Sequence, residues 1–240
     1  MASVGPGPRL LPVAALLLAV GCATTASHEM VASAPLAPRA AAAEAATGDP
    51  VVATTVGRVV VDQAWTPFAT VGGVRLVHPS SRVERVGFHE ANHDGARQLE
   101  PLPTAVAPTT LETRERLTGS RTAADVVVDP AVEIRAPVTG RVKRAGTYVL
   151  YCDHRDDYLA IEPDEHRGWE VKVLHIDGVL VRSGDRVIAG RTVLAPRPTQ
   201  LPFESQVDEV SPVRPAWPHV HIEVVDPSIP DRPSPGGGCP

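Results

Sequence analysis

The chain has 240 residues, among them 25 Pro and 19 Gly, and its formal net charge is -5. Pro and Gly at this frequency interrupt helices and strands, so one compact domain with flexible connections explains the length better than two domains. The small negative charge and the lack of a Lys/Arg run exclude the electrostatic pattern of a nucleic-acid-binding protein. We therefore expect no nucleic-acid partner.

The N-terminus has the three parts of a secretory signal peptide. Arg9 precedes an apolar stretch over residues 10–20, which is too short to span a bilayer of roughly 30 Å. The segment Ala19-Val20-Gly21-Cys22 resembles the bacterial lipobox, which implies lipidation of Cys22; an ordinary secretory signal is the alternative. We predict a signal peptide over 1–22 and an exported protein held to the cell membrane by its lipid, facing the cell wall or periplasm.

Two further cysteines, Cys152 and Cys239, remain if Cys22 carries the lipid. Exported proteins fold in an oxidising compartment, so a disulfide between Cys152 and Cys239 is a reasonable expectation. It would hold the Pro/Gly-rich tail, residues 234–240, against the domain. Two unpaired thiols are the alternative that the sequence leaves open.

Composition divides the rest of the chain into three parts. Residues 23–50 are mainly Ala, Thr, Ser and Pro, which predicts a flexible tether. Residues 51–119 contain the β-branched runs Arg58-Val59-Val60-Val61 and Val74-Arg75-Leu76-Val77-His78 and then a connection broken by prolines. We interpret this part as an N-terminal β extension, and residues 120–240 as the main domain.

Short strand-like segments with close turn signals fill residues 120–240, and none has a sustained helical period. This pattern predicts a mainly β fold, an antiparallel β-sandwich or barrel-like domain. Aromatic residues make up only 4% of the chain, so we expect a core of Val, Ile and Leu. The predicted strands are Asp125–Val128, Val132–Arg135, Gly140–Lys143, Thr147–Leu150, Tyr158–Ile161, Glu170–Leu174, Arg186–Ile188 and His219–Glu223.

The motif His219-Val220-His221 lies in one of these strands. Alternation along a strand places both imidazoles on one face, about 6.6 Å apart. Two nitrogen donors on one face suit a metal ion or a proton-transfer pair. Two histidines on the solvent face of a strand would give the same pattern, so the motif alone leaves both alternatives open.

Five motifs in a fixed order resemble the lysostaphin or LytM type of zinc metalloendopeptidase, which acts on peptidoglycan. The resemblance covers residues 120–226, about half of the chain, and an ordered set of motifs is more specific than one. The motifs are the strand opened by Asp125, the Val132–Val142 segment with its Ala-Pro-Val-Thr-Gly turn, Val173-Leu174-His175-Ile176, the Val181–Gly190 hairpin and Pro218–Val224.

The resemblance implies a zinc cofactor, with Asp125 and His221 as ligands. It also implies that His175 and His219 act on the attacking water and on the transition-state charge. The expected partner is the peptide stem of peptidoglycan. The implied reaction is hydrolysis of a peptide cross-link, with zinc as Lewis acid and histidine as general base.

One position departs from the family pattern, because Arg121 stands where the third zinc ligand, a histidine, is expected. A guanidinium has no lone pair for a metal. On an extended chain Arg121 would share a face with Asp125 and could form an ion pair in place of the metal. The protein would then be a catalytically inactive peptidoglycan-binding or regulatory lipoprotein.

A second source of the missing ligand is the segment from Gly87 to Gly95, which contains two imidazoles and two carboxylates. We take His93 as the candidate third metal ligand, with His89 as the other possibility, while a polar solvated loop is the alternative. A third hypothesis is an assembly factor with an envelope protein partner, which would need neither His219 nor His221. We interpret His28, His78, His154 and His166 as surface or linker residues.

Overall fold

The computed structural model describes residues 57–62 and 65–232. The predicted signal peptide, the lipidation site Cys22 and the tether over 23–50 lie outside these residues, as does Cys239. The chain separates into two units, 1–52 and 53–240, and only the second contains described residues. No helix in the described part is long and apolar enough to cross a membrane.

The described residues form fifteen strands and one short helix. The elements are β1 Val61–Asp62, β2 Pro67–Val71, β3 Val74–Val77, β4 Arg82–His89, β5 Glu100–Pro101, β6 Pro108–Thr110, β7 Ala123–Val128, β8 Ile134–Arg135, β9 Gly140–Leu150, β10 His154–Pro163, β11 Glu170–Asp177, β12 Arg186–Val187, β13 Val193–Ala195, β14 Arg197–Pro198, α1 Gln206–Glu209 and β15 His219–Val225.

One large sheet has the strand order β1-β4-β7-β15-β11-β10-β9-β12, with β6 beside β4 and β14 beside β11. Its pairs are antiparallel except for β4 and β6. Two smaller sheets, β3-β2-β5 and β13-β8, complete the fold. The predicted mainly β, antiparallel sandwich or barrel-like class is confirmed.

The core lies on one face of the large sheet. Alternation along β15 directs Val220, Ile222 and Val224 to this face, and all three are fully buried. They pack with side chains of the smaller sheets, including Leu76 and Leu194, in one continuous apolar cluster. The opposite face of the same strands is therefore left for polar side chains.

The sequence placed a boundary between an N-terminal β extension, 51–119, and a main domain, 120–240. In the structure, β4 from the first segment pairs along its length with β7 from the second, inside the same sheet. The two segments therefore share one sheet and one core. The strand β4 was not predicted, because its polar and apolar residues do not alternate regularly.

A β-bulge explains that irregularity. Val83 pairs with Val128 and Arg85 pairs with Val127, so β4 has one more residue than β7 over this stretch. An extra residue exchanges the two faces of a strand beyond it. Val83 therefore faces the core before the bulge, whereas Val86 and Phe88 face it afterwards. Consequently His89 points to the polar face.

A candidate metal centre with a carboxylate–histidine pair

Six neighbouring strands of the large sheet contribute polar side chains to one site. Strands β4, β7, β15, β11, β10 and β9 are consecutive in the sheet, although β4, β7 and β15 are far apart in sequence. In that strand order, the residues are His89, Asp125, the set His219, His221 and Glu223, then His175, Asp156 and Tyr148.

His89, Asp125 and His221 form a group that can hold a metal ion, since their ligand atoms lie within 4.8 Å of one another. Asp125 Oδ1 lies 3.1 Å from His89 Nε2 and 2.9 Å from His221 Nδ1. The register explains the convergence, because Asp125 pairs with Gly87 on β4 and with His221 on β15. Two imidazole nitrogens and a carboxylate oxygen therefore meet at the centre of the sheet.

The hydrogen bonding of His89 supports a cation at this point. Its Nδ1 lies 2.9 Å from the carbonyl oxygen of Glu90, which can only accept, so Nδ1 carries the proton. In a neutral ring Nε2 then has a lone pair, yet it is buried, has no hydrogen-bond partner and faces the Asp125 carboxylate. A metal ion between these two acceptors would satisfy both.

Negative charge around His221 also favours a bound cation. Glu223 Oε2 lies 3.8 Å from His221 Nε2, and Lys172 Nζ lies 2.9 Å from the same carboxyl group. Burial disfavours the imidazolium form of His221, but the hydrogen bond to Asp125 and the nearby Glu223 carboxylate outweigh burial and raise its pKa to about 9. Surroundings that favour a positive charge on this ring also favour a bound cation.

The Asp125 carboxylate is ionised in these surroundings. Its burial opposes ionisation, but the neighbouring imidazoles of His89 and His219 and a hydrogen bond from His221 hold its pKa well below the usual value. A deprotonated carboxylate is the form that ligates metals.

Two expectations for the third ligand need correction. His93 does not belong to the metal-binding group of the described residues; its Nδ1 accepts a hydrogen bond from Gly95 N instead. Arg121 forms no ion pair with Asp125, whose described partners are all histidines. Arg121 lies in the turn before β7, which begins only at Ala123, so the extended geometry that would align it with Asp125 is absent.

A second bulge positions His175. Asp157 pairs with Ile176 and Tyr158 with Leu174, which leaves His175 as the extra residue of β11. Its φ of 63° is in the left-handed region, a strained conformation for a residue other than Gly. Bulges redirect side chains beside functional sites, and this one brings His175 close to His219, with ring centroids 5.0 Å apart.

Asp156 holds the His175 ring. Its Oδ2 lies 2.6 Å from His175 Nδ1 and accepts hydrogen bonds from the His175 backbone N–H and the Tyr148 hydroxyl. Burial raises the pKa of Asp156, but the hydrogen bond from His175 and the others outweigh it and lower the pKa overall. An ionised Asp156 fixes the proton on Nδ1, so Nε2 is the basic nitrogen of His175.

Tyr148 stays protonated beside this carboxylate. Burial and the negative charge of Asp156 both raise the pKa of Tyr148 above its usual value. The hydroxyl is therefore a hydrogen-bond donor at the side of the site.

His219 completes the polar face. It is 3% exposed, its Nε2 lies 3.8 Å from Asp125 Oδ2, and its Nδ1 lies 3.5 Å from Ser205 Oγ, the N-cap of α1. Burial lowers the pKa of His219 to about 4. The two predicted catalytic histidines, His175 and His219, are thus adjacent to each other and to the metal-binding group.

These side chains open into a cavity of about 240 Å³. The metal-binding group and both predicted catalytic histidines line it. The rest of its lining includes the aromatic residues Tyr148, Tyr151 and Phe203 and the arginines Arg114 and Arg116. The arrangement combines a cation site, a histidine base and room for a ligand.

Two other sequence expectations concern residues outside this site. His78, interpreted as a surface or linker residue, is fully buried and packs against Phe68, with ring centroids 5.1 Å apart. Cys152 is disulfide-bonded. Its predicted partner, Cys239, lies outside the described residues, so their pairing stays a prediction.

Sequence reasoning missed Asp156, Tyr148 and Glu223. Glu223 had a usable signal, because alternation along β15 places it on the same face as His219 and His221. Asp156 had none, since it is one of several acidic residues near a turn and its partner His175 is redirected by a bulge. For the segment containing His89, the sequence leaves open a polar solvated loop. In the structure His89 is instead only 5% exposed and ends strand β4.

Comparisons with protein-family models, with curated proteins and with solved structures find no match to this chain. A function for this protein is therefore inferred from the chemistry of the site and from the motifs in the sequence.

Proposed function

We propose that this protein is a zinc metallopeptidase that hydrolyses peptide cross-links of peptidoglycan. The observation that carries the proposal is the convergence of His89, Asp125 and His221 beside the Asp156–His175 pair. A metal site with three protein ligands that also opens into a cavity is typical of catalytic zinc.

The ligand set fits zinc better than the harder cations. Two imidazoles and one carboxylate are ligands that zinc prefers, whereas Mg²⁺ and Ca²⁺ prefer oxygen ligands alone. When bound, zinc polarises a peptide carbonyl and lowers the pKa of water toward about 7. His89 takes the place of the ligand that the family motif would put at position 121.

The protein's own residues supply the proton transfers. His175 Nε2 is placed to accept a proton from the attacking water, while Asp156 holds the proton on Nδ1 and stabilises the charged ring. The accepted proton then passes to the nitrogen of the leaving amine as the C–N bond breaks. We assign to His219, the second imidazole at the site, a hydrogen bond to the peptide carbonyl oxygen.

The substrate class and location come from the sequence. The five ordered motifs support peptidoglycan stems as substrate, and the signal peptide with Cys22 supports an exported lipoprotein facing the cell wall or periplasm. A binding or regulatory protein without catalysis is the competing proposal, and an envelope protein partner would belong to it. The predicted ion pair of Arg121 with Asp125, which motivated that alternative, is not formed.

The test combines metal content with digestion. The protein is purified without chelators, its zinc is measured by elemental analysis, and purified peptidoglycan is digested while newly freed amines are counted. We expect about one zinc per chain, and we expect His221→Ala to lose both zinc and activity. Removal of the base in His175→Ala, or of the proposed carbonyl donor in His219→Ala, should leave zinc bound and release few amines.

Two results would oppose the proposal in different ways. Zinc bound without any release of amines would favour a binding protein with a structural metal. Activity that survives in His175→Ala would exclude the assigned base.

A further inference from the structure

The cavity wall beside His89 contains two arginines, Arg114 and Arg116, that take no part in the metal-binding group. Both lie in the loop that follows β6 and leads toward β7. We propose that Arg114 and Arg116 form a subsite for a carboxylate of the bound peptide, so that the protein selects peptides with a free carboxylate near the cleaved bond. This inference rests on the proposed function, since it names part of the same substrate.

A buried carboxylate holds the loop in place. Glu90 is 8% exposed and accepts hydrogen bonds from Thr113 Oγ1 and from the backbone N–H groups of Arg114 and Arg116, at 2.9 to 3.0 Å. The hydrogen bond from the Arg116 backbone lowers the pKa of Glu90, so the carboxylate is charged when it accepts. The backbone of both arginines is thus anchored to the residue that follows His89.

The Arg116 guanidinium is linked to the metal-binding group through the Glu90 carbonyl. Its Nη1 donates to the Glu90 carbonyl oxygen at 2.6 Å, and the same oxygen lies 2.9 Å from His89 Nδ1. The guanidinium and the ligand imidazole therefore share one acceptor. This places a positive charge next to the metal-binding group.

Most donors of the two guanidinium groups remain available. A guanidinium has five N–H donors, and within the described residues that of Arg116 has only the Glu90 carbonyl as acceptor. Arg114 Nη2 lies 3.4 Å from Glu209 Oε1, and because both side chains are exposed this ion pair contributes little to stability. Both groups can therefore turn donors toward a ligand in the cavity.

The geometry of the donors indicates the ligand. A guanidinium presents parallel N–H groups that match the two oxygens of a carboxylate, and such charge-assisted pairs are among the stronger hydrogen bonds. Asp125 and Glu223, which also line the cavity, carry negative charge and would repel a peptide carboxylate before a metal binds. The arginine wall is therefore the side of the cavity that suits an anionic group of a peptide.

The test uses the full chain loaded with zinc and two synthetic stem peptides that differ only in their C-terminus, a free carboxylate or an amide. Calorimetry measures both affinities. We expect the parent to prefer the acid about 10- to 100-fold, the effect of a charged hydrogen bond. In Arg114→Gln and Arg116→Gln the preference should fall to about threefold or less, while Arg182→Gln, whose side chain is 89% exposed, should retain it.

Arg114→Gln is the cleaner of the two variants, because Arg116 also donates to the Glu90 carbonyl. Equal affinity of the parent for acid and amide would overturn the subsite. The same conclusion follows if neither peptide binds, or if the double variant keeps the preference. Peptide hydrolysis is scored separately. A preference for the acid without hydrolysis would support the subsite and refute the proposed peptidase activity. Hydrolysis without a preference for the acid would support the peptidase activity and refute the subsite.

Discussion

Replacing His89 with Ala tests whether the third metal ligand comes from β4. The variant removes the buried Nε2 that faces Asp125, but leaves Asp125 and His221 in place. We expect zinc affinity to fall sharply because two protein ligands remain. The resemblance alone did not predict this residue, so the experiment tests the structure directly.

The expected magnitude follows from the ligand count. Structural zinc sites with four ligands bind with about 10–16 kcal/mol, which is about 3 kcal/mol per ligand, or at least about 100-fold in affinity. With free zinc at about 100 times the parent's Kd, binding stabilises the parent by about 2.7 kcal/mol. A 100-fold weaker variant gains only about 0.4 kcal/mol under the same conditions.

Thermal unfolding with and without zinc measures this difference. For a domain of this size each kcal/mol is worth about 2–4 °C, so zinc should raise the Tm of the parent by about 5–11 °C and that of His89→Ala by about 1–2 °C. His93→Ala is the matched control and should behave like the parent, since the His93 ring accepts from Gly95 N and lies outside the metal-binding group. The opposite pattern, loss in His93→Ala and retention in His89→Ala, would refute the assignment.

Three further predictions concern the base, the core and the close contact between β9 and β10. Asp156→Asn should lower hydrolysis by about 100-fold or more at unchanged zinc content, while Asp153→Asn, with its side chain 84% exposed, serves as control; equal activity of the two would exclude Asp156 as the positioning residue. His78, buried with neither ring nitrogen hydrogen-bonded, has its pKa lowered by burial to about 4. Below about pH 6.5 this ring therefore binds a proton more readily in the unfolded chain, and His78 alone should lower the free energy of unfolding by about 2 kcal/mol from about pH 7.5 to about pH 5. Denaturant titrations of His78→Leu should lack this loss, and an unchanged pH dependence would contradict it. Gly140→Ala should unfold at lower temperature, because a Cβ would lie 2.1 Å from the Glu162 carbonyl oxygen, whereas Gly146→Ala on the same strand meets nothing closer than 3.7 Å and should be tolerated sterically.

Local sequence was sufficient to predict the positions of several strands of the large sheet. β7, β11 and β15 were predicted near their observed bounds, because β-branched runs with turn signals depend on nearby residues. Alternation along β15 also placed His219 and His221 on one face, where the structure has them. The two predicted segments at Gly140–Lys143 and Thr147–Leu150 are parts of the single strand β9.

The sequence by itself therefore determined the strand-rich fold and the presence of Asp125, His175, His219 and His221 as polar residues in ordered motifs. Only the tertiary structure decided which residue joins Asp125 and His221, and it is His89 rather than His93 or Arg121. The physical reason is that the bulge in β4 and the register of β4 on β7 decide which side chains face the site. Register and bulges depend on pairing between distant strands, which no local pattern specifies.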